Sequence, residues 1–330
     1  MSAPRFGSFL GPVMREHVVL MQAMGYVYTT QEKRFLRLDR FLQGRPDLAV
    51  ARLPVLIREW AKTRSGPQQA LECHLTGRAL FRALSRMDPT VENIPWDRGI
   101  KREAHRRHRR PYIFSEEEIR CLLKAALSFA SQQSSLRPRT AYMMLVLGYC
   151  AGLRISEIVR LDVGDFHLDD RILEIRGTKF FKSRHLPLAG SVCAALCSYL
   201  DLRKQAGGSI NPAAPLLWHS ESVARYSYGM ARTLLIPILR RAGFKPLRGR
   251  VGARIHDLRH AFVVNRMLAW YREGINPQSR LPYLATYLGH KDINSTLVYL
   301  TITQELLQEA SERFRLRCAR ILQSSIGGNA

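Results

Sequence analysis

The chain has 330 residues, 46% of them hydrophobic, and carries 51 Lys plus Arg against 27 Asp plus Glu, a formal net charge of +24. That length suits two domains rather than one small core, and the apolar content excludes a largely disordered chain. The positive excess favours a polyanionic partner through counterion release, nucleic acid first, and the chain has neither an apolar run of about 18 residues nor a signal-peptide pattern, so a cytoplasmic protein with no membrane partner is expected. Up to Tyr112 the sequence holds 21 basic and 10 acidic residues, and beyond it 30 and 17, so the two parts carry +11 and +13. The excess is shared, as in the two halves of a clamp.

In chain order, the first part reads as helices only. Leu10, Val13, Met14, Val18 and Met21 recur at helical spacing, and Thr29 and Glu32 in "TTQEKRFLRLDRFL" are spaced as a capping box. Pro54 begins a third segment through Trp60, and Ser65 with Pro67 marks the start of a fourth. Four short helices ending near Arg86 make a small basic bundle, a domain over residues 1–90. Pro89, Pro95 and Gly99 then break the pattern, and the charge run "KREAHRRHRR" completes a basic linker over 91–112. Such a run is either simply solvated or tracks a phosphate backbone.

A second domain over 113–330 opens at "FSEEEIRCLLKAAL", where Ser115 and Glu118 again form a capping box. An apolar helix over 141–150 runs into "AGLRISEIVRL", where Gly152 stops it and Ser156 caps the next helix, leaving Arg154 on the turn. "DFHLDDRILEIRGTKFFKSRHLPL" alternates apolar and polar residues around turn residues, the pattern of a three-stranded antiparallel sheet and the one clear strand signal. Helices follow over 191–206, 224–241, 257–272, 281–288 and 293–301. A last helix over 303–322 has Leu307, Ala310, Phe314 and Ile321 on one stripe. The fold class is mainly α with a small antiparallel β-sheet. Cys73, Cys121, Cys150, Cys193, Cys197 and Cys318 are scattered without zinc-site spacing and read as buried thiols in a reducing compartment.

Four short pieces carry groups with a chemistry in common: "AGLRISE" with Arg154, "TKFFKSRHLPL" with Lys179, "HDLRHAF" with His256 and Arg259, and "LGHKDINSTLVY" with His290 and Tyr299. Each alone has an ordinary structural reading. Together they are what a metal-free attack on a phosphodiester needs. Two guanidiniums grip the non-bridging oxygens and stabilise the charge of the transition state. A phenol of ordinary pKa about 10 needs cationic surroundings or a base to attack, and His256 or His290 can exchange its proton. Tyr271, Tyr283 and Tyr287 also lie nearby, the first at the end of a helix in "LAWYRE" and the others at helical spacing that suits core residues.

These motifs, in this order and with nine residues from His290 to Tyr299, resemble the tyrosine recombinases, the phage-integrase or lambda-integrase-like family that includes the Xer-like enzymes. The likeness covers the chain from about Tyr112 onward; the first domain matches only in size and character the family's helical core-binding (SAM-like) domain. The resemblance implies Tyr299 as a nucleophile that forms a 3′-phosphotyrosyl link, Arg154 and Arg259 as phosphate grips, and Lys179 as general acid, with Lys182 as its rival. His256 would assist proton transfer and His290 would hydrogen-bond the phosphate. Phe180 and Phe181 would pack beneath the sheet or wedge into a minor groove. The resemblance further implies no metal or other cofactor, double-stranded DNA as substrate, and four protomers on two DNA sites passing through a Holliday junction, from a monomer or dimer when free. Accessory recombination proteins are possible partners. The last helix would be a subunit-exchange element, with Leu307 and Phe314 facing a neighbouring protomer. A site-specific recombinase, the integrase or transposase of a mobile element, is thus the expected function. A type IB topoisomerase, a chromosome-dimer resolvase or a non-catalytic DNA-binding regulator on the same fold are the alternatives.

Overall fold

The computed structural model describes residues 6–107, 109–129, 134–177, 183–220, 224–249, 251–290 and 294–297, together with 308, 311, 312 and 315. The chain divides into two compact units, Met1–Arg109 and Arg110–Ala330.

The first unit is built from α1 (Gly11–Ala23), α2 (Thr29–Gln43), α3 (Leu53–Lys62), α4 (Pro67–Leu84) and α5 (Arg98–Arg106). Apolar side chains at helical spacing supply its core: Leu53, Leu56, Ile57 and Trp60 from α3 meet Phe35, Leu38 and Leu80 from α2 and α4. Two details differ from the sequence reading. Thr29 does not cap α2, because the preceding position is held by Tyr28 in the left-handed region (φ 47°) with no side-chain cap. The first part of the charge run is also helical. Asp97 accepts from the N–H of Ile100, Ala104 is buried, and α5 forms against α4. Glu103 pairs with Arg106 at 2.8 Å and Arg107 at 2.6 Å, so an acid within the run offsets part of the repulsion that would oppose a helix.

The second unit is organised around α7 (Leu136–Cys150), whose successive residues Met143 to Leu147 are all buried. A helix that is apolar all round needs neighbours on every side. Here they are α6 (Glu116–Leu127), α8 (Ile155–Ile158), α9 (Gly190–Gln205), α10 (Tyr228–Arg241) and α11 (Asp257–Arg272). The Ser115–Glu118 capping box forms at the start of α6. The expected sheet is present, with β1 (Phe166–His167), β2 (Ile172–Ile175) and β3 (Arg184–Pro187) in antiparallel order β1-β2-β3 and Leu173 opposite Leu186. Both leucines are fully buried, which fixes the register. A second, two-stranded pair, β4 (Trp218–His219) and β5 (Ala224–Arg225), takes the start of the segment expected to open a helix at 224.

Two further helices, α12 (Pro277–Leu288) and α13 (Asn294–Leu297), complete the described part. Leu281, Leu284 and Leu288 of α12 join Val263, Val264, Met267 and Leu268 of α11 in a separate apolar cluster. Two of the cysteines expected to be buried, Cys121 and Cys150, are exposed. Cys121 lies on α6 off the buried stripe of Ile119, Leu122 and Ala126, and Cys150 is the last residue of α7. Among the described residues, no helix is long and apolar enough to cross a membrane.

Candidate active site

Where α7 ends, the chain reverses through Gly152 at φ +61°. A Cβ on this residue would come within 2.6 Å of the Phe262 ring, so both conformation and space call for glycine. The Leu153 N–H donates to the Leu147 carbonyl at 3.2 Å and closes the turn. Arg154 therefore stands immediately before α8, and Ser156 lies inside that helix rather than capping it. The cap is made by Glu157. Its Oε2 accepts the backbone N–H of Arg154 at 3.0 Å, while its Oε1 takes Nη1 of the same arginine at 2.9 Å.

Glu157 gathers more than its own turn. Arg184 at the head of β3 donates Nη1 to Oε1 at 3.2 Å and Nη2 to Oε2 at 3.1 Å, a bidentate fork, and Nη1 of Arg259 on α11 lies 3.8 Å from Oε2. The side chains of Glu157, Arg184 and Arg259 are only 8%, 10% and 1% exposed. Burial alone would raise the carboxyl pKa of Glu157. The Arg184 fork, the Arg154 N–H and the charge of Arg259 outweigh it and hold the group below its ordinary value, so it is ionised at neutral pH. One carboxylate thus joins three guanidiniums from three separate segments.

Those guanidiniums also fix the end of α12. Arg259 donates to the Gly152 carbonyl at 2.7 Å and to the Leu288 carbonyl at 2.6 Å, and Nε of Arg184 donates to the Tyr287 carbonyl at 2.9 Å. The helix stops at Gly289, left-handed at φ 64°, with the His290 N–H bonded back to the Ala285 carbonyl at 2.9 Å. His290 then emerges beside the arginine cluster. Its Nδ1 is 2.7 Å from the hydroxyl of Thr296, a fully buried residue of α13, which orients the ring.

His256 directly precedes α11, at the mouth of a cavity of about 650 Å³ that Arg154 also lines. It keeps solvent access on one side while protein atoms crowd the others. That crowding, followed by the charges of His260, Arg259 and Arg154, pushes its pKa down to about 4. The ring of His260 is 4.9 Å away, edge to face. At neutral pH His256 is therefore uncharged. A cavity of about 750 Å³ in the first unit, lined by Leu53, Leu56 and Val91 among others, holds none of the predicted site groups.

Residues 113–305 match the model of the phage integrase family. This chain belongs to that family. Over 308 residues it is 32% identical to a protein of Sinorhizobium fredii described as an integrase/recombinase, y4rB, spanning 92% of this chain and 96% of that one. It is 25% identical over 220 residues to the tyrosine recombinase XerA of Pyrococcus horikoshii, spanning 66% of this chain and 65% of that one. In fold it is similar to the integrase of the Tn1549 transposon in complex with a circular-intermediate DNA, with TM-score 0.66 and 17% identity over 92% of this chain and 99% of that one. The XerH recombinase bound to its palindromic difH substrate gives TM-score 0.63 and 17% identity, over 87% of this chain and 79% of that one. The second unit thus has the tyrosine-recombinase catalytic fold, and the chain is an enzyme of that class.

In this phage integrase family member, Arg154 and Arg259 come together with Arg184 around Glu157, His256 stands beside Arg154, and His290 follows the helix end that Arg259 and Arg184 hold. Lys179, its rival Lys182, the neighbouring Phe180 and Phe181, the nucleophile candidate Tyr299, and Leu307 and Phe314 all lie outside the described residues. Tyr283, read from its spacing as a core residue, is 72% exposed. The α12 stripe of Leu281, Leu284 and Leu288 turns it outward. Glu157 and Arg184 both sit inside the quoted motifs, three residues after Arg154 and three before the proline of "SRHLPL", yet neither carries a signal of its own. A buried charge is visible only once its partners are in place.

Proposed function

We propose that the chain is a site-specific DNA recombinase, the integrase or transposase of a mobile element, acting in the cytoplasm on nucleoid DNA. The observation that carries this reading is the cluster of Arg154, Arg184 and Arg259 on Glu157, with His290 just past the helix end that Arg259 holds and Tyr299 two residues beyond the end of α13 in the sequence. Arg154 and Arg259 hold the non-bridging oxygens of the scissile phosphate and stabilise the charge of its pentacoordinate transition state. Since Arg259 is 1% exposed and donates to two backbone carbonyls, it acts from beneath, and Arg154 is the outward grip. In the tautomer whose Nδ1 accepts from the Thr296 hydroxyl, Nε2 of His290 carries the proton and donates to the phosphate.

The phenol oxygen of Tyr299 attacks phosphorus and its proton passes to neutral His256. The 5′ oxygen leaves with a proton from Lys179, or from Lys182 if that residue is the acid. The 3′-phosphotyrosyl bond conserves the phosphodiester energy, so rejoining needs neither ATP nor a metal. Four protomers on two duplex sites exchange one strand pair, pass through a Holliday junction and exchange the second. The residues before 91 form a core-binding domain and those from 113 the catalytic domain with its exchange helix.

The test is covalent capture on a nicked duplex from which the cleaved 5′ fragment diffuses away. The wild-type chain accumulates an adduct that denaturing electrophoresis resolves, and Tyr299→Phe accumulates none. An adduct on the Phe variant would remove Tyr299 from its role. Relaxation of supercoiled DNA without exchange between two sites would instead identify a topoisomerase.

A further inference from the structure

The cavity that opens beside Arg154 and His256 continues past them to side chains that the reaction above does not use. Arg232 and Arg240 on α10, Lys245 in the loop after it and Arg254 before α11 line its remaining length, and no Asp or Glu lines it. Arg232, Ile236 and Arg240 recur every four residues, so one whole face of α10 forms the wall. The opposite wall is fixed by backbone. Nζ of Lys245 donates to the Val251 carbonyl at 2.8 Å, and the Ala253 N–H to the Phe244 carbonyl at 2.8 Å.

The charges along this wall are not balanced. Among the described residues, Arg232, Arg240 and Arg254 have no carboxylate within ion-pair distance, in contrast to Arg154, Arg184 and Arg259 around Glu157. The Nε of Arg240 is buried and donates to nothing in the described part. A buried donor without an acceptor is destabilising, and like charges converging on one concavity repel. An anion with several acceptor oxygens removes both penalties at once. Guanidinium forks match phosphate oxygens in geometry as well as charge.

We propose that this cavity binds a second phosphate group of the DNA strand, one flanking the phosphate held at Arg154, with Arg232, Arg240 and Arg254 as its donors. The assignment rests on the reading that Arg154 grips the scissile phosphate, since the cavity begins at that residue. It gives the enzyme a backbone contact that sets which phosphate of the strand reaches the reactive centre. Such contacts fix register and orientation without reading a base.

The experiment compares the full-length wild type with Arg232→Gln/Arg254→Gln, both at solvent-exposed positions, by fluorescence anisotropy on a duplex across a salt series. Removing one phosphate contact is expected to reduce the slope of log Kd against log salt by about 1. On a duplex with single methylphosphonates around the cleavage position, one flanking substitution is expected to weaken wild-type binding about tenfold, as loss of a charge-assisted contact does. The same substitution is expected to cost the variant nothing further. Equal slopes, or equal methylphosphonate sensitivity at every position, would overturn the proposal. So would pyrophosphate binding to the cavity without any methylphosphonate effect, because the cavity would then serve a free anion. Covalent capture by the wild type reads the recombinase assignment separately. Without an adduct that assignment fails while the slope comparison still stands, and an adduct with equal slopes removes the cavity proposal alone.

Discussion

Glu157 is the residue on which the most geometry converges, since its two oxygens serve the Arg154 backbone and the guanidiniums of Arg154, Arg184 and Arg259. Replacing it with glutamine keeps the shape and removes the charge, leaving Arg184 and Arg259 buried without an anion. Loss of one partner from a buried pair typically costs about 3–5 kcal/mol. Glu157→Gln is accordingly expected to lower the unfolding free energy of the second unit by that order, read as a drop in its urea midpoint, and to abolish covalent capture. Because the carboxyl is held below the ordinary 4.5, its contribution is complete above that pH and is lost as the pH falls through the folded value. His256 acts in the same direction of pH, although its charged form is the protonated one. Its folded pKa of about 4 lies below the unfolded 6.5, so the folded state loses stability as the pH falls from 6.5 toward 4. An NMR titration should place the His256 midpoint near 4, and a midpoint at 6.5 would refute the crowding described here.

At the scale of elements, the turn between α7 and α8 is the most constrained piece of the site. Gly152→Ala places a methyl against Phe262 in a left-handed conformation. Strain of this kind costs about 1–3 kcal/mol, and Arg154 two residues later shifts with it. Reduced thermal stability together with weaker capture is the expected result; reduced stability alone would mean that the turn holds the fold but not the site. Much of this level was legible in the sequence. The helix expected over 257–272 is α11 residue for residue, and the capping box of Ser115 and Glu118 forms as its spacing implies. What was not legible has physical reasons. Strands of two residues, as in β4 and β5, are too short to show alternation. The arginine run reads as a linker because its helix depends on the Asp97 cap, the pairing of Glu103 with Arg106 and Arg107, and the burial of Ala104, not on an apolar periodicity. Arg154, His256, Arg259 and His290 were found through motifs, whereas Arg184 owes its role to a carboxylate 27 residues away.

For the whole molecule the governing quantity is the +24 charge. If both halves contact the duplex and together neutralise six or more phosphates, affinity should fall by about a thousandfold or more between 50 and 200 mM salt. A nearly flat salt response in anisotropy would exclude a clamp of this kind. The Glu157 cluster bears on how such a protein travels along DNA. Three guanidiniums brought together without an anion would repel, and a site assembled only by the incoming phosphate would have to be rebuilt at every encounter. With the carboxylate in place, the assembly is done once, during folding, and the centre keeps its shape between encounters. The search for a target is then limited by diffusion and by backbone contacts, and the time spent at each candidate site does not include construction of the chemistry.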